Sequence, residues 1–139
     1  MTIEEIRDQC LLIKGAKESF DKVIVNFKVM DKVFAFYPIK FKNNEHFFVI
    51  KCDPEKTTEL REKYIGVTKG YYTGNTLKWN SVYLNKDVPD KVIKELINNS
   101  VNEVIKSLPK YKQEEYFNKN ETKMKKLKER NKVRDTSYN

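Results

Sequence analysis

The amino-acid sequence predicts an α+β fold in which helices pack on an antiparallel sheet. The β-prone runs come in blocks set between helical segments, giving the order α-βββ-α-ββ-α, whereas a wound parallel sheet needs strands and helices to alternate. The last helical segment carries a broad apolar stripe, as expected of a helix that covers a sheet. With 139 residues, 39% of them apolar, the chain has the size of one domain with a modest core.

The first half of the predicted order is a helix followed by three strands. Thr2 and Glu5 have the spacing of a capping box, and the apolar residues after them recur at helical spacing, so we expect a helix over about 3–14. The three predicted strands are the β-prone runs 23–30, 33–37 and 46–52. A short connection joins the first two runs, which indicates a hairpin.

The second half is a helix, a hairpin and a long helix. Asp53 suits an N-cap and Pro54 the first helical position, so we expect a helix from there to about residue 64. The segment 68–84 has glycines between β-prone residues and predicts the second hairpin. Pro89 precedes the apolar stripe, which continues to about residue 108.

The last 30 residues differ in composition from the rest. The formal net charge is +8, and residues 110–139 hold 10 Lys/Arg against 5 Asp/Glu while apolar residues become sparse. We therefore predict a domain over 1–109 and a basic extension over 110–139, either helical or disordered. A basic extension often contacts nucleic acid, although the same charge also serves solubility.

The sequence lacks the motifs of the common catalytic sites. His46 is the single histidine, so a Ser-His-Asp triad or a histidine-rich metal site would depend on it alone. The glycines form neither GxGxxG nor a P-loop. Cys10 and Cys52 stand far apart without a CxxC pattern, which favours two reduced thiols near the core. We predict a protein that is not an enzyme and that needs no cofactor and no metal.

The sequence also bears on the location of the protein. It contains no apolar stretch of about 18 residues, so no transmembrane helix and no membrane partner are expected. Its first residues are acidic where a secretory signal has lysines. Both points favour the cytosol. The oligomeric state does not follow from the sequence, and a monomer is favoured.

Three segments resemble the MmcQ/YjbR family of small bacterial proteins. They are IEEIRDQCLLIKGAKESF, FVIKCDPEKTTELREKY and, as the most specific, GYYTGNTLKWNSVYLNKDVPDKVIKELINNS. The resemblance covers roughly residues 2–108. The chain departs from the family's pattern in two places, because the segment between Phe20 and Val23 is shortened and the basic extension is additional.

The resemblance implies both a fold and a function. The family is similar in fold to the bacterial frataxin CyaY and has been compared with a "double wing" DNA-binding motif, so DNA is the expected partner. Kinship with frataxin also raises iron binding. The acidic ridge of frataxin is poorly matched here, because Lys14, Lys17 and Lys22 follow the few acids directly.

Candidate nucleic-acid contacts are basic, aromatic or amide residues in three segments. In the second hairpin they are Lys69, Tyr71, Tyr72, Lys78, Trp79 and Asn80; on the helix before it, Arg61 and Lys63; in the extension, Lys123, Lys125, Lys126 and Lys128. Lysines pair with phosphates, aromatic rings stack on exposed bases, and an amide bonds to a base edge or the backbone. We expect the hairpin and the extension to form one continuous basic face.

Two alternatives remain open. Trp79 shares a strand face with Tyr83 and is also typical of a core residue, in which case Asn80 faces the other way and braces a turn. The whole domain is alternatively a protein-interaction or small-ligand module of unknown partner. A concave apolar pocket with few basic residues around it would favour that function.

Overall fold

The computed structural model of the protein describes residues 1–74 and 76–118. It divides into two compact units, Met1–Ser107 and Leu108–Asn139. The predicted contact residues Lys123, Lys125, Lys126 and Lys128 lie outside the described residues, so the continuous basic face stays a prediction.

The first unit contains three helices and six strands. In chain order they are α1 (Ile3–Leu11), β1 (Lys17–Asp21), β2 (Ile24–Val29), β3 (Lys32–Pro38), β4 (Phe47–Lys51), α2 (Pro54–Lys63), β5 (Val67–Lys69), β6 (Trp79–Tyr83) and α3 (Asp90–Lys106). The strands form one sheet in the order β1-β2-β3-β4-β6-β5, and every neighbouring pair is antiparallel. In the second unit, residues 110–118 are helical. The predicted α+β class is confirmed.

The sheet has one strand more than the sequence predicted. Strand β1 pairs with β2, and because Asp21 lies opposite Ile24, Lys22 and Val23 alone form the turn between them. Lys22 has φ 52, a left-handed conformation for which glycine or asparagine is the usual sequence signal. The shortened segment between Phe20 and Val23 is therefore a tight hairpin turn.

The predicted helix starts are confirmed. The Thr2 hydroxyl accepts from the Glu5 amide and the Glu5 carboxylate accepts from the Thr2 amide, each at 3.1 Å, which completes a capping box. The Asp53 carboxylate accepts from the Glu55 amide at 3.0 Å, with Pro54 at the first helical position. Helix α1 ends at Leu11, earlier than the predicted residue 14.

The strand register separates the sheet into two faces. Residues directly opposite one another share a face, and successive residues alternate. Phe27 lies opposite Ala35, and the register then shifts, so Phe34 is an extra residue that points to the same side as Ala35. This face lies against α1 and α3 and holds the main core. Its fully buried side chains include Ile6, Phe27, Phe34, Phe48, Ile50, Val82, Ile93 and Ile97.

Candidate nucleic-acid interface

The opposite side of the sheet, called the open face below, carries a second group of apolar side chains. The register places Phe36 opposite Val49 and Phe47 opposite Tyr83 on this side. Phe36, Phe47 and Val49 are buried, and the side chains around them are half-buried: Ile24, Val33, Phe41, Trp79 and Tyr83. The open face is therefore apolar at its centre while its aromatic rings stay partly in contact with solvent.

A loop that begins at Gly70 brings two tyrosines onto this face. The Gly70 amide donates to the Trp79 carbonyl at 3.1 Å, and a Cβ on Gly70 would lie 2.9 Å from the Trp79 Cβ. Only glycine allows this approach. The Tyr71 ring then lies 5.4 Å from the Phe47 ring, and the Tyr72 ring meets the Tyr71 ring edge-on at 4.8 Å. Tyr72 is thus supported from the sheet.

Tyr72 combines exposure with an unusual backbone. Its side chain is 68% exposed, yet its φ is 65, in the left-handed region that a bulky residue rarely adopts. Such a conformation costs about 1–3 kcal/mol and persists when the surrounding structure fixes it. In this conformation the Tyr72 ring lies exposed to solvent beside the sheet.

Tyr72 and Trp79 line a shallow groove of about 350 Å³ on the open face. The remaining lining is apolar from Ile24, Val33 and Phe36, and polar from Asn26, Thr73 and Thr76. The Phe36 and Trp79 rings lie 5.8 Å apart at an interplanar angle of 54°. The groove thus offers aromatic surface together with an amide and two hydroxyls, within the size range of small-ligand sites.

Lysines flank this groove. By strand register, Lys28 lies opposite Val33, Lys17 lies opposite Lys28, and Lys51 lies opposite Trp79, which places all three positions on the open face. The side chain of Lys51, the last residue of β4, also lines a cavity with residues of α2 and α3, among them Lys56 and Glu103. None of the three open-face lysines forms an ion pair with any residue in 1–74 or 76–118. Asp21 is the acidic strand residue on this side, at the outer edge in β1. The groove therefore has a basic border.

Lys51 lies close enough to a second lysine, Lys78, for the two positive charges to affect each other. Burial lowers the pKa of Lys51, and the neighbouring charge of Lys78 lowers it further, while Glu103 partly opposes these effects. Lys78 precedes Trp79 directly in the chain. An anion placed beside the two ammonium groups would relieve this repulsion.

Asn80 was predicted as a base contact, and the structure places it elsewhere. It lies opposite Ile50 on the helix side and is 0% exposed. Its side-chain amide donates to the Thr57 hydroxyl at 2.9 Å, and its side-chain oxygen accepts from Arg61 Nε at 2.7 Å. Both ends of the amide are occupied, so Asn80 braces α2 against β6 and is not available to a ligand.

Arg61 was also predicted as a contact, and it too serves the structure. Besides Asn80, its guanidinium donates to the carbonyl oxygens of Thr76 and Trp79, at 3.4 and 3.2 Å. The Thr57 hydroxyl donates to the Leu77 carbonyl in the same region. Helix α2 thereby holds the start of β6 and the loop before it in place. These hydrogen bonds fix the backbone of Trp79 from the helix side of the sheet.

Lys69 and Lys63 do not join the groove. Lys69 lies opposite Asn80 on the edge strand β5, on the helix side of the sheet. Lys63 is exposed on α2, with its ammonium 5.5 Å from the centre of the Tyr64 ring. The predicted patch is therefore divided between the two sides of the sheet.

Tyr71, Tyr72 and Trp79 do come together on the open face, with Lys78 beside Lys51. Trp79 is half-buried against Phe36, so it is neither a full core residue nor a fully exposed one. Sequence reasoning missed lining residues of the groove such as Asn26 and Phe36. It also missed the lysines at open-face positions around it, Lys17, Lys28 and Lys51. The sequence signal for them was the alternation along the strands: every second residue points to the open face, and those residues include both lysines and aromatic residues.

The remaining reactive groups offer little chemistry. Cys10 and Cys52 are buried free thiols, and burial raises the pKa of Cys10 to about 12, so neither is a ready nucleophile. The His46 ring lies 4.6 Å from the Phe41 ring. Across 1–74 and 76–118, no group of three or more His, Cys, Asp or Glu side chains is arranged to hold a metal ion.

Among the residues that the structure describes, 1–74 and 76–118, no helix is long and apolar enough to cross a membrane.

The family model described as YjbR matches residues 11–101. The chain belongs to the YjbR family. It is 31% identical over 114 residues to the uncharacterized protein YjbR of Escherichia coli K12, which covers 81% of this chain and 94% of that protein. The uncharacterized protein YbdF of Escherichia coli O157:H7 is 33% identical over 64 residues, 46% of this chain and 52% of YbdF. The resemblance seen in the sequence is thus confirmed.

Solved structures share the fold. The crystal structure of Deinococcus radiodurans protein DR2400 matches with a TM-score of 0.72 and 28% identity, over 83% of this chain and 87% of that one. A Pseudomonas syringae protein matches with a TM-score of 0.58 and 23% identity, over 72% of this chain and 96% of that one. The second likeness concerns the fold alone.

Proposed function

We propose that the protein binds nucleic acid, with DNA as the expected form, and catalyses no reaction on it. The observation that carries the proposal is the open face, where an aromatic groove is flanked by Lys17, Lys28 and Lys51 without ion-pair partners among residues 1–74 and 76–118. Lysines neutralise phosphates and release counterions, and aromatic rings stack on bases. The open face brings both kinds of group to one side of a rigid sheet.

The alternative, a small-ligand or protein-interaction module, would be favoured by an apolar pocket with few basic residues around it. The groove is partly apolar, as such a module requires. However, the open-face lysines border it, and Lys78 lies beside Lys51. The charge around the groove therefore supports a polyanionic partner. The basic extension would add non-specific attraction to the same partner.

The test compares three lysine variants of the full chain. Lys17→Gln, Lys28→Gln and Lys51→Gln are combined in an open-face variant. A matched control removes the same charge from the helix side by combining Lys63→Gln, Lys69→Gln and Lys94→Gln. A third variant replaces Lys123, Lys125, Lys126 and Lys128 with glutamine. Fluorescence anisotropy of a labelled random duplex and a labelled single strand gives the affinities at about 50 and 200 mM salt.

We expect the open-face variant to bind more weakly than the helix-side control. Its salt dependence should also fall, by about one unit of log–log slope for each phosphate that a lysine no longer neutralises. Equal weakening by the two variants would show that net charge alone matters and would contradict the proposal for the open face. Loss of binding in the extension variant alone would assign binding to the extension. No binding by the unmodified chain at low salt would exclude nucleic acid.

A further inference from the structure

Two properties of the groove, its aromatic lining and the Asn26 amide, suit recognition of a nucleobase in addition to attraction to phosphate. The groove is lined by three aromatic rings, Phe36, Tyr72 and Trp79, and by the amide of Asn26. That amide has no hydrogen-bond partner among the described residues. An amide both donates and accepts, as the edge of a nucleobase does.

The aromatic part of the groove is held in place before any ligand arrives. Trp79 is fixed by Phe36 on one side and, through its carbonyl, by Gly70 and Arg61. The Tyr72 ring is supported by Tyr71, which rests on the sheet. Such a preformed stacking surface avoids the entropy cost of ordering side chains on binding.

A base inside a duplex cannot use this groove. Its faces are covered by neighbouring base pairs and its Watson–Crick edge is paired, so an aromatic ring and an amide reach it only when it is unpaired. Duplex DNA would meet the lysines at the border but not the groove itself.

We propose that the groove between Tyr72 and Trp79 is a subsite for one unpaired nucleobase, so that the protein prefers single-stranded nucleic acid to duplex. The inference rests on the proposed nucleic-acid binding and adds the form of the ligand to it. Trp79 and Tyr72 offer stacking surfaces, and Asn26, with the hydroxyls of Thr73 and Thr76, lies within the groove to bond to the base edge.

The composition of the chain supplies a direct probe, because Trp79 is its only tryptophan. Tryptophan emission, excited at a wavelength that the eight tyrosines do not absorb, therefore reports on the groove alone. Anisotropy of a labelled strand reports on binding anywhere. The full chain is titrated with four ligands: a single strand, a duplex of the same sequence, an abasic strand with the same phosphates, and a nucleoside monophosphate. The two readouts together separate base insertion from phosphate attraction.

We expect the single strand to quench Trp79 fluorescence, and the duplex and abasic strand to bind without comparable quenching. Tyr72→Ala should weaken single-strand binding roughly 5- to 100-fold, the usual range for losing one stacked base. Asn26→Ala should weaken it about 2- to 10-fold, as for one hydrogen bond. Neither variant should change duplex affinity.

Phe20→Ala is the matched control for Tyr72→Ala. Phe20 is 70% exposed, close to the 68% of Tyr72, but its position opposite Val25 in β1 and β2 places it on the helix side. We expect it to leave single-strand binding unchanged. An equal loss with Phe20→Ala would show that any exposed aromatic ring serves and would overturn the subsite.

The remaining outcomes separate this inference from the proposed function. Binding of single strand and duplex by anisotropy, with no quenching by either, would overturn the base subsite and leave nucleic-acid binding standing. Quenching by the mononucleotide with the affinity of the strand would make the groove a free-nucleotide site and overturn the preference for a strand. If no nucleic acid binds at low salt, the proposed function fails, and the inference fails with it.

Discussion

The two faces of the sheet use the same strands for different purposes. On the helix side, Phe27, Phe48 and Ile50 are fully buried, and the amide of Asn80 is bonded at both ends. On the open face, the rings of Tyr72 and Trp79 remain in contact with solvent, and the amide of Asn26 has no partner among the described residues. The helix side, where side chains are buried and Asn80 is hydrogen-bonded at both ends, stabilises the fold. The open face keeps aromatic rings and an amide accessible, and it is there that we propose that a ligand binds.

The largest expected contrast is in stability. Phe48→Ala leaves a cavity in the main core and should lower the free energy of unfolding by about 3–5 kcal/mol. Trp79→Ala removes a half-buried ring from the open face and should cost only about 1–2 kcal/mol. Urea denaturation followed by circular dichroism measures both. An equal loss for the two variants would show that the open face is as much a folding core as the helix side.

Some elements of this fold can be predicted from the sequence, and others cannot. The helix starts at Thr2 and Asp53 follow from local capping chemistry, and the apolar stripe of α3 follows from its spacing, so both are readable residue by residue. Strand β1 is mostly polar, and its turn at Lys22 has no glycine, so its pairing depends on β2 rather than on its own residues.

The candidate site was harder to predict for a related reason. Asn80 and Asn26 are the same residue type on strands, and only the register decides which one meets α2 and which one lines the groove. A shift of one residue in register would exchange their sides. Lys51 and Trp79 are likewise distant in the chain and become neighbours only through the pairing of β4 with β6.

The second contrast uses these two asparagines. Asn80→Ala removes the acceptor of the Arg61 Nε–H and the amide that donates to the Thr57 hydroxyl in a fully buried position, so the free energy of unfolding should fall by about 2–3 kcal/mol. Asn26→Ala breaks no hydrogen bond among the described residues and should change stability by less than about 0.5 kcal/mol. Chemical denaturation of both variants tests this. A large loss for Asn26→Ala would mean that its amide supports the fold.

The third contrast concerns the loop that carries the tyrosines. Gly70→Ala places a methyl group 2.5 Å from the Thr73 hydroxyl oxygen, 2.9 Å from the Trp79 Cβ and 3.0 Å from the Trp79 carbonyl oxygen. We expect a loss of about 1–3 kcal/mol in unfolding free energy and a shifted Trp79 emission. Gly74→Ala is the control, because no atom lies within 4 Å of its added Cβ and only its positive φ opposes the change. It should cost about 1 kcal/mol. Unchanged Trp79 emission in Gly70→Ala would show that the loop adjusts without moving the groove.

The smallest effect is expected at Asp87, in the loop between β6 and α3, which belongs to neither face. Its carboxylate accepts from the Gly66 amide at 2.8 Å and from the Ile65 amide at 2.7 Å. These backbone hydrogen bonds, with that of Gly66 the largest cause, lower the pKa of Asp87 below its ordinary value of 3.8. Because the pKa is lower in the folded state than in the unfolded chain, the stabilisation is complete above the unfolded value and is lost as the pH falls through the folded one.

Asp87→Asn should therefore be less stable than the unmodified protein at neutral pH, and the difference should close as the pH falls below about 4. The measurement is the urea midpoint of both proteins between about pH 6 and pH 2. Glu59→Gln removes one exposed carboxylate from α2 without touching the Asp87 contacts, and it is the control for the loss of a single negative charge. If the difference for Asp87→Asn stays constant across the acid range, the contribution of Asp87 does not depend on its charge.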